Sequence, residues 1–192
     1  MGSGSRPGRL TALSIAAVAA LSQACETSSP AASGATLPRH VIVSLGVVSR
    51  LFPDITREAS TGANLTATGN PKATRMVIYE TGDGSKKVTI TVDQYASASD
   101  ASSAYQQAVE KSQSVPGFKP VPVPTSGQQT FAGSVTQGAE THIGLGALDR
   151  RLIVGATLAG YDAAPDTVAK LVELARVQAD AAEKALGRSR SR

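Results

Sequence analysis

The chain has one cysteine, no tryptophan, two histidines and only seven phenylalanines and tyrosines among 192 residues. A single cysteine excludes an intramolecular disulfide and a cysteine metal cluster, so packing alone must hold the domain. The histidines are His40 and His142. Glu140 and His142 are spaced to share a strand face, but no third ligand is identifiable, and neither metal nor cofactor is expected. Catalytic signatures are also missing: there is no Gly-x-Ser-x-Gly elbow and no Ser-x-x-Lys pair. Gly144-x-Gly146 lies inside an apparent strand and lacks the following helix that would cradle a phosphate. A lone strand histidine is more often packed or solvated than part of a serine dyad. Asp162 and Asp166 flank a helix start, where capping accounts for them.

Charge of one sign is also scarce in the body of the chain. The net charge of +4 comes from the two ends, because Arg6, Arg9, Arg188, Arg190 and Arg192 leave 14 basic against 15 acidic residues between Cys25 and Gly187. Without a basic stripe or a stacking platform, nucleic acid is excluded as a partner.

What is present begins at the N-terminus. Arg6 and Arg9 lead into an uncharged apolar run, Leu10 to Leu21, too short to span a bilayer. Ser22-Gln23-Ala24 then places small residues three and one positions before Cys25, as a signal-peptidase site requires. The arrangement resembles a bacterial lipoprotein signal, which implies that Cys25 is acylated and becomes the mature N-terminus. Such signals usually carry Leu three places before the cysteine, whereas Leu21 stands four before. Plain secretion is the alternative. Residues 25–36 are small and polar and read as a flexible tether, residues 37–187 as one domain, and 188–192 as a basic tail.

Within the domain, Val41, Leu45, Val48 and Phe52 recur at helical spacing before Pro53, and residues 56–72 have a loop composition. Ala73 to Thr81 and Lys86 to Tyr95 alternate around Gly82-Asp83-Gly84-Ser85, a hairpin signal. In the second run Val88, Ile90 and Val92 share one face, and Lys87, Thr89, Thr91 and Asp93 the other, which predicts a half-buried strand. Ser97 to Asp100 has the form of a capping box opening a helix over about 98–113. Prolines 120, 122 and 124 would strip one strand edge of its donors. Three strands follow, Gln129 to Thr136, Ala139 to Leu148 and Arg151 to Ala159. An apolar stripe of Val168, Leu171, Val172, Ala175, Ala179, Ala182 and Leu186 then predicts a terminal helix, with Pro165 in its first turn and Gly187 as its cap. The order gives an α+β fold, an antiparallel sheet of about five strands with two to three helices mainly on one face.

Ser97 to Tyr105, Gly127 to Gly133, the hairpin and the terminal helix together resemble the small exported lipoproteins of bacteria of LpqN type with a PsbP-like fold. That resemblance implies an envelope accessory and supplies no catalytic residue. Three readings follow in order: a lipid-anchored envelope accessory or binding protein in contact with the membrane, with an envelope protein or small ligand as partner; a secreted structural or interaction protein without a small ligand; and a hydrolase with an unrecognised site. For the hairpin of residues 141–158, pairing Leu148 with Arg151 sets Ile143, Leu145 and Ala147 on one apolar face. The other face carries His142, Gly144, Gly146, Gly155 and Thr157. Its glycines either let another backbone approach closely, the favoured reading, or form a shallow groove for a ligand; if a ligand binds, His142 and Thr157 are expected to line its site and Gly144 to form the floor.

Overall fold

A computed structural model describes residues 35–125 and 127–187, so the signal segment, Cys25, most of the tether and the basic tail lie outside the described residues. The strands are β1 (Ala35–Thr36), β2 (Arg57–Gly62), β3 (Ala73–Glu80), β4 (Lys87–Gln94), β5 (Lys119–Pro120), β6 (Gln129–Gln137), β7 (Glu140–Asp149) and β8 (Leu152–Ala159). The helices are α1 (Leu45–Leu51), α2 (Ala98–Gln113) and α3 (Pro165–Ala185). The fold is α+β, built on one eight-stranded sheet of order β1-β3-β4-β8-β7-β6-β5, with β2 also paired to β3.

Three features depart from the expectation of about five antiparallel strands. β1, formed by the last two residues of the expected tether, runs parallel to β3 and makes the sheet mixed. β2 forms inside the segment read as loop, because Arg57 to Gly62 pair with the outer edge of β3 despite an exposed, polar sequence. The proline segment contributes β5, which among the described strands pairs only with β6 and so forms an edge of the sheet. There the Val121 amide donates inward to the Ala132 carbonyl at 3.0 Å. Nitrogens at the alternate positions 120, 122 and 124 therefore point outward, and proline leaves them without donors.

The helices are not gathered on one face. α1 and α3 pack on the face carrying Val88, Ile90, Val92, Ile143, Leu145, Val154, Ala156 and Leu158. α2 covers the opposite face, where Ala101, Ala104 and Tyr105 meet Leu148, Phe131 and Ile153. The expected first helix is split into a single 3-10 turn at Arg39–Val41 and the short α1. α2 starts where its cap predicts, the Ser97 hydroxyl accepting from the Asp100 amide at 3.0 Å. α3 begins on Pro165 and ends before Gly187 at φ 69°. Its N-cap is Ala164, which has no side chain to cap with, and Asp162 accepts from the Thr167 hydroxyl at 3.2 Å instead.

Leu171 is buried on α3 within the larger core. Leu171→Ala is expected to lower unfolding free energy by about 3 kcal/mol, the usual cost of a large-to-small change in a packed core. An unchanged urea midpoint would mean that α3 does not pack on the sheet.

Candidate functional site

α2 runs over the sheet without sealing it, and a cleft of about 40 Å³ remains between helix and strands. That is room for a few waters and, with its open mouth, for part of a small ligand. Its floor is the cross-strand pair Gly146 and Gly155, flanked by Thr91 and Thr157. Two facing glycines leave the sheet bare where side chains would fill the space under the helix. Gly155 has little alternative, because a Cβ there would stand 2.4 Å from the Thr91 Oγ1. Tyr105, Ala108 and Val109 of α2, together with Phe131 and Ile153, supply apolar wall.

The remaining wall is the segment joining β2 to β3. Tyr95 donates its hydroxyl to the Thr68 carbonyl at 2.6 Å, and a Cβ on Gly69 would come 3.1 Å from that of Ala104, so this segment lies against the helix. It delivers Asn64 into the cleft. The Asn64 Oδ1 accepts from the Thr66 amide at 3.2 Å and from the Thr66 hydroxyl at 2.9 Å, an Asx turn closed two residues on. With its oxygen occupied, the amide nitrogen is left to donate, and it reaches both carboxyl oxygens of Asp93 at 3.0 Å. The Asn64 backbone amide donates to the Thr74 hydroxyl at 2.9 Å, which ties the turn to β3.

Asp93 is only 5% exposed and has no cation beside it among the residues lining the cleft. Burial raises its pKa to about 7, against a smaller lowering by the Asn64 hydrogen bond. Burial pushes the Tyr105 phenol up to about 12. Tyr95 is raised by burial and then by the nearby Asp93. The arrangement is a slot with one carboxyl at its base, an amide locked as donor, and the hydroxyls of Thr91 and Thr157, which make no hydrogen bond to the described residues. Hydrogen-bond recognition and charge pairing are what such a slot can do. Among the described residues no hydroxyl bonds either histidine, so no serine dyad is assembled, and no group of three acidic, histidine or cysteine side chains is placed to hold a metal ion.

Of the residues singled out in sequence, Thr157 lines the cleft, whereas His142 and Gly144 do not. The hairpin register explains the difference. Asp149 pairs with Leu152, which puts Leu148 opposite Ile153, Gly146 opposite Gly155 and Gly144 opposite Thr157. Every partner is two residues further on than expected, because the turn is Arg150-Arg151 with Arg150 at φ 54°, a conformation arginine rarely adopts. A slip of two preserves the faces, so the apolar set still meets α3 while the glycine floor moves one pair along. Gly144 lies opposite Gly133, on which the Phe118 ring packs so closely that a Cβ would come within 2.1 Å. Close packing therefore describes that end of the glycine row, and an open floor describes the other. His142 is buried beyond the cleft, with Nε2 3.8 Å from Glu140 and Nδ1 without a partner among the described residues.

Sequence reasoning alone does not single out Asn64 or Asp93. Alternation places Asp93 on a polar face with Thr89 and Thr91, yet all three are buried, and Thr91 and Asp93 line the cleft with residues of α2 and of the 63–72 segment. The signal available for Asn64 was the Asn-x-Thr spacing of an Asx turn, set in a segment whose composition otherwise predicts only loop.

Comparison with known proteins shows the fold and no more. No family model and no curated protein matches the chain. The extracellular domain of PknH from Mycobacterium tuberculosis is similar, with a TM-score of 0.53 and 14% sequence identity over 77% of this chain and 93% of that one. Among the described residues no helix is long and apolar enough to cross a membrane.

Proposed function

We propose that this protein is an exported accessory of the bacterial envelope, tethered through an acylated Cys25, whose domain binds a small ligand in the cleft under α2. The observation that carries the binding reading is the slot itself: an apolar-walled cleft with a glycine floor and a few convergent polar groups at its base. The export reading rests on the Arg-led apolar run, the small residues before Cys25 and the polar tether that follows. A fold shared with an extracellular domain agrees with it. Membership of the LpqN-type lipoproteins is the family reading consistent with both.

Native mass spectrometry of the full chain extracted from host membranes tests the two together. The expected result is a mature chain beginning at acylated Cys25 and carrying a small molecule that is released on denaturation. The double substitution Thr91→Ala with Gly155→Val fills the floor while removing the hydroxyl that a new side chain would strike, and it should lose the released molecule without losing the fold. Unmodified Cys25 on soluble protein would remove the anchor. Wild-type protein that releases nothing, and binds no member of a small-molecule panel, would replace the binding reading by that of an interaction protein. The exposed Leu65, 77% accessible beside the mouth of the cleft, is where such a partner would first be sought.

A further inference from the structure

We propose that the cleft selects an organic cation, an amine whose ammonium group pairs with Asp93 and whose apolar part lies against Tyr105, Phe131 and Ile153. This proposal rests on reading the cleft as a ligand site and names the class of ligand.

The charge balance of the lining is the first argument. Among the described residues Asp93 is the sole carboxylate in it, and none of them that lines the cleft is a lysine, arginine or histidine. An anion would meet a carboxyl with nothing to neutralise it. A neutral ligand would leave the group as it stands, whereas a cation would remove the penalty of an unpaired buried charge.

The second argument is how the carboxyl is held. Both of its oxygens accept from the same Asn64 nitrogen at 3.0 Å, and that nitrogen is fixed as a donor by the two bonds Thr66 makes to Asn64 Oδ1. An ionised carboxylate offers about four acceptor positions, so capacity remains for an incoming N–H group. Thr91 and Thr157 place further oxygens in the same floor. Tyr105 and Phe131 present aromatic surface, which attracts a cation more than a neutral group of equal size.

The groups that face Asp93 would not obscure its titration. They are Thr74 paired with it on β3, Ile153 paired with it on β8, Asn64 from the joining segment, and the tyrosines Tyr95 and Tyr105. Both phenols are raised by burial away from neutrality, Tyr105 to about 12. Asp93, raised to about 7, is the group in the cleft that changes charge between pH 5 and pH 8. A simple alkylamine stays protonated over that interval, so the carboxyl alone decides the outcome.

The test follows backbone amide resonances of the full chain during titration with n-butylamine and, separately, with 1-butanol. At pH 8 butylamine should bind about tenfold more tightly than butanol, a difference of about 1.4 kcal/mol, with saturable shifts at Thr91, Ile153 and Gly155. The preference should fall below about twofold in Asp93→Asn, and likewise in the wild type at pH 5. Equal binding of amine and alcohol in the cleft at pH 8 would overturn the cation proposal and leave the binding reading standing. Absence of shifts with either probe would count against both. Should Asp93→Asn fail to fold, the wild-type comparison decides alone, and an amine preference unchanged from pH 8 to pH 5 would overturn the assignment to Asp93.

Discussion

Gln178→Leu is expected to lower unfolding free energy by about 4 kcal/mol, although leucine fills nearly the same volume and is the more apolar residue. Gln178 is fully buried on α3, on the side that meets the segment between the 3-10 turn and α1. Its Oε1 accepts from the Val43 amide at 2.9 Å and its Nε2 donates to the Val41 carbonyl at 2.6 Å. Val41, Ile42 and Val43 are themselves buried, so these backbone groups have no water to turn to. The Val43 carbonyl is satisfied in the same way from the sheet, accepting from the Tyr79 hydroxyl at 2.5 Å, and Arg39 donates to that hydroxyl at 2.7 Å. Side chains from α3 and β3 thus hold an irregular strip of chain that neither helix nor strand could satisfy. Leucine would strand one amide and one carbonyl, each at about 1 to 3 kcal/mol. Urea unfolding monitored by circular dichroism measures the difference. A midpoint shifted by less than that of a typical surface substitution would show that the clasp contributes nothing.

Asp93→Asn is expected to do the opposite at alkaline pH, stabilising the protein by about 4 kcal/mol at pH 8. The folded-state pKa of Asp93 is raised to about 7 from an ordinary 3.8. Between those values the folded protein keeps a proton that the unfolded chain has released. Stability contributed by the protonated group is therefore whole below about 3.8, declines as pH rises, and is lost once pH passes about 7. About 1.4 kcal/mol for each pH unit over that interval gives the figure of about 4 kcal/mol. Asparagine keeps the shape and, through its one side-chain oxygen, one of the two bonds accepted from the Asn64 amide nitrogen, and it carries no charge to bury. Unfolding free energies of both proteins at pH 4, 6 and 8 should converge at the acid end and diverge toward pH 8. Other groups titrate equally in both, so parallel profiles would place Asp93 in contact with water or with a counter-charge. The expected loss would mean that the carboxyl is retained at the expense of stability.

Much of the fold is legible because it rests on local pattern. The Ser97 cap with the alanines of α2, the stripe of α3 between Pro165 and Gly187, and the alternation of Val88, Ile90 and Val92 each repeat within a few residues. Those repeats fix which side chains share a face. β2 was illegible for a related reason: Arg57 to Gly62 carry no apolar alternation, and their strand geometry comes from pairing with β3. The candidate site was legible only in part. The glycine row and Thr157 lie on the face expected of them, but the two-residue slip at Arg150 moved the open floor from Gly144 to Gly146 and Gly155.

The sequence by itself determined the α+β class, the helices α2 and α3, the two long hairpins, the edge placed at the prolines, and the lack of an intramolecular disulfide, since each of these is settled by composition or by neighbours along the chain. Only the tertiary structure decided that α2 crosses to the opposite face, that Asp93 is thereby buried against Asn64, and that Gln178 belongs to the core. Periodicity records which residues point the same way, whereas burial depends on what distant segment comes to lie over them. A polar side chain inside a protein is intelligible only through its partner, and those partners stand 29 positions away for Asp93 and 135 or more for Gln178.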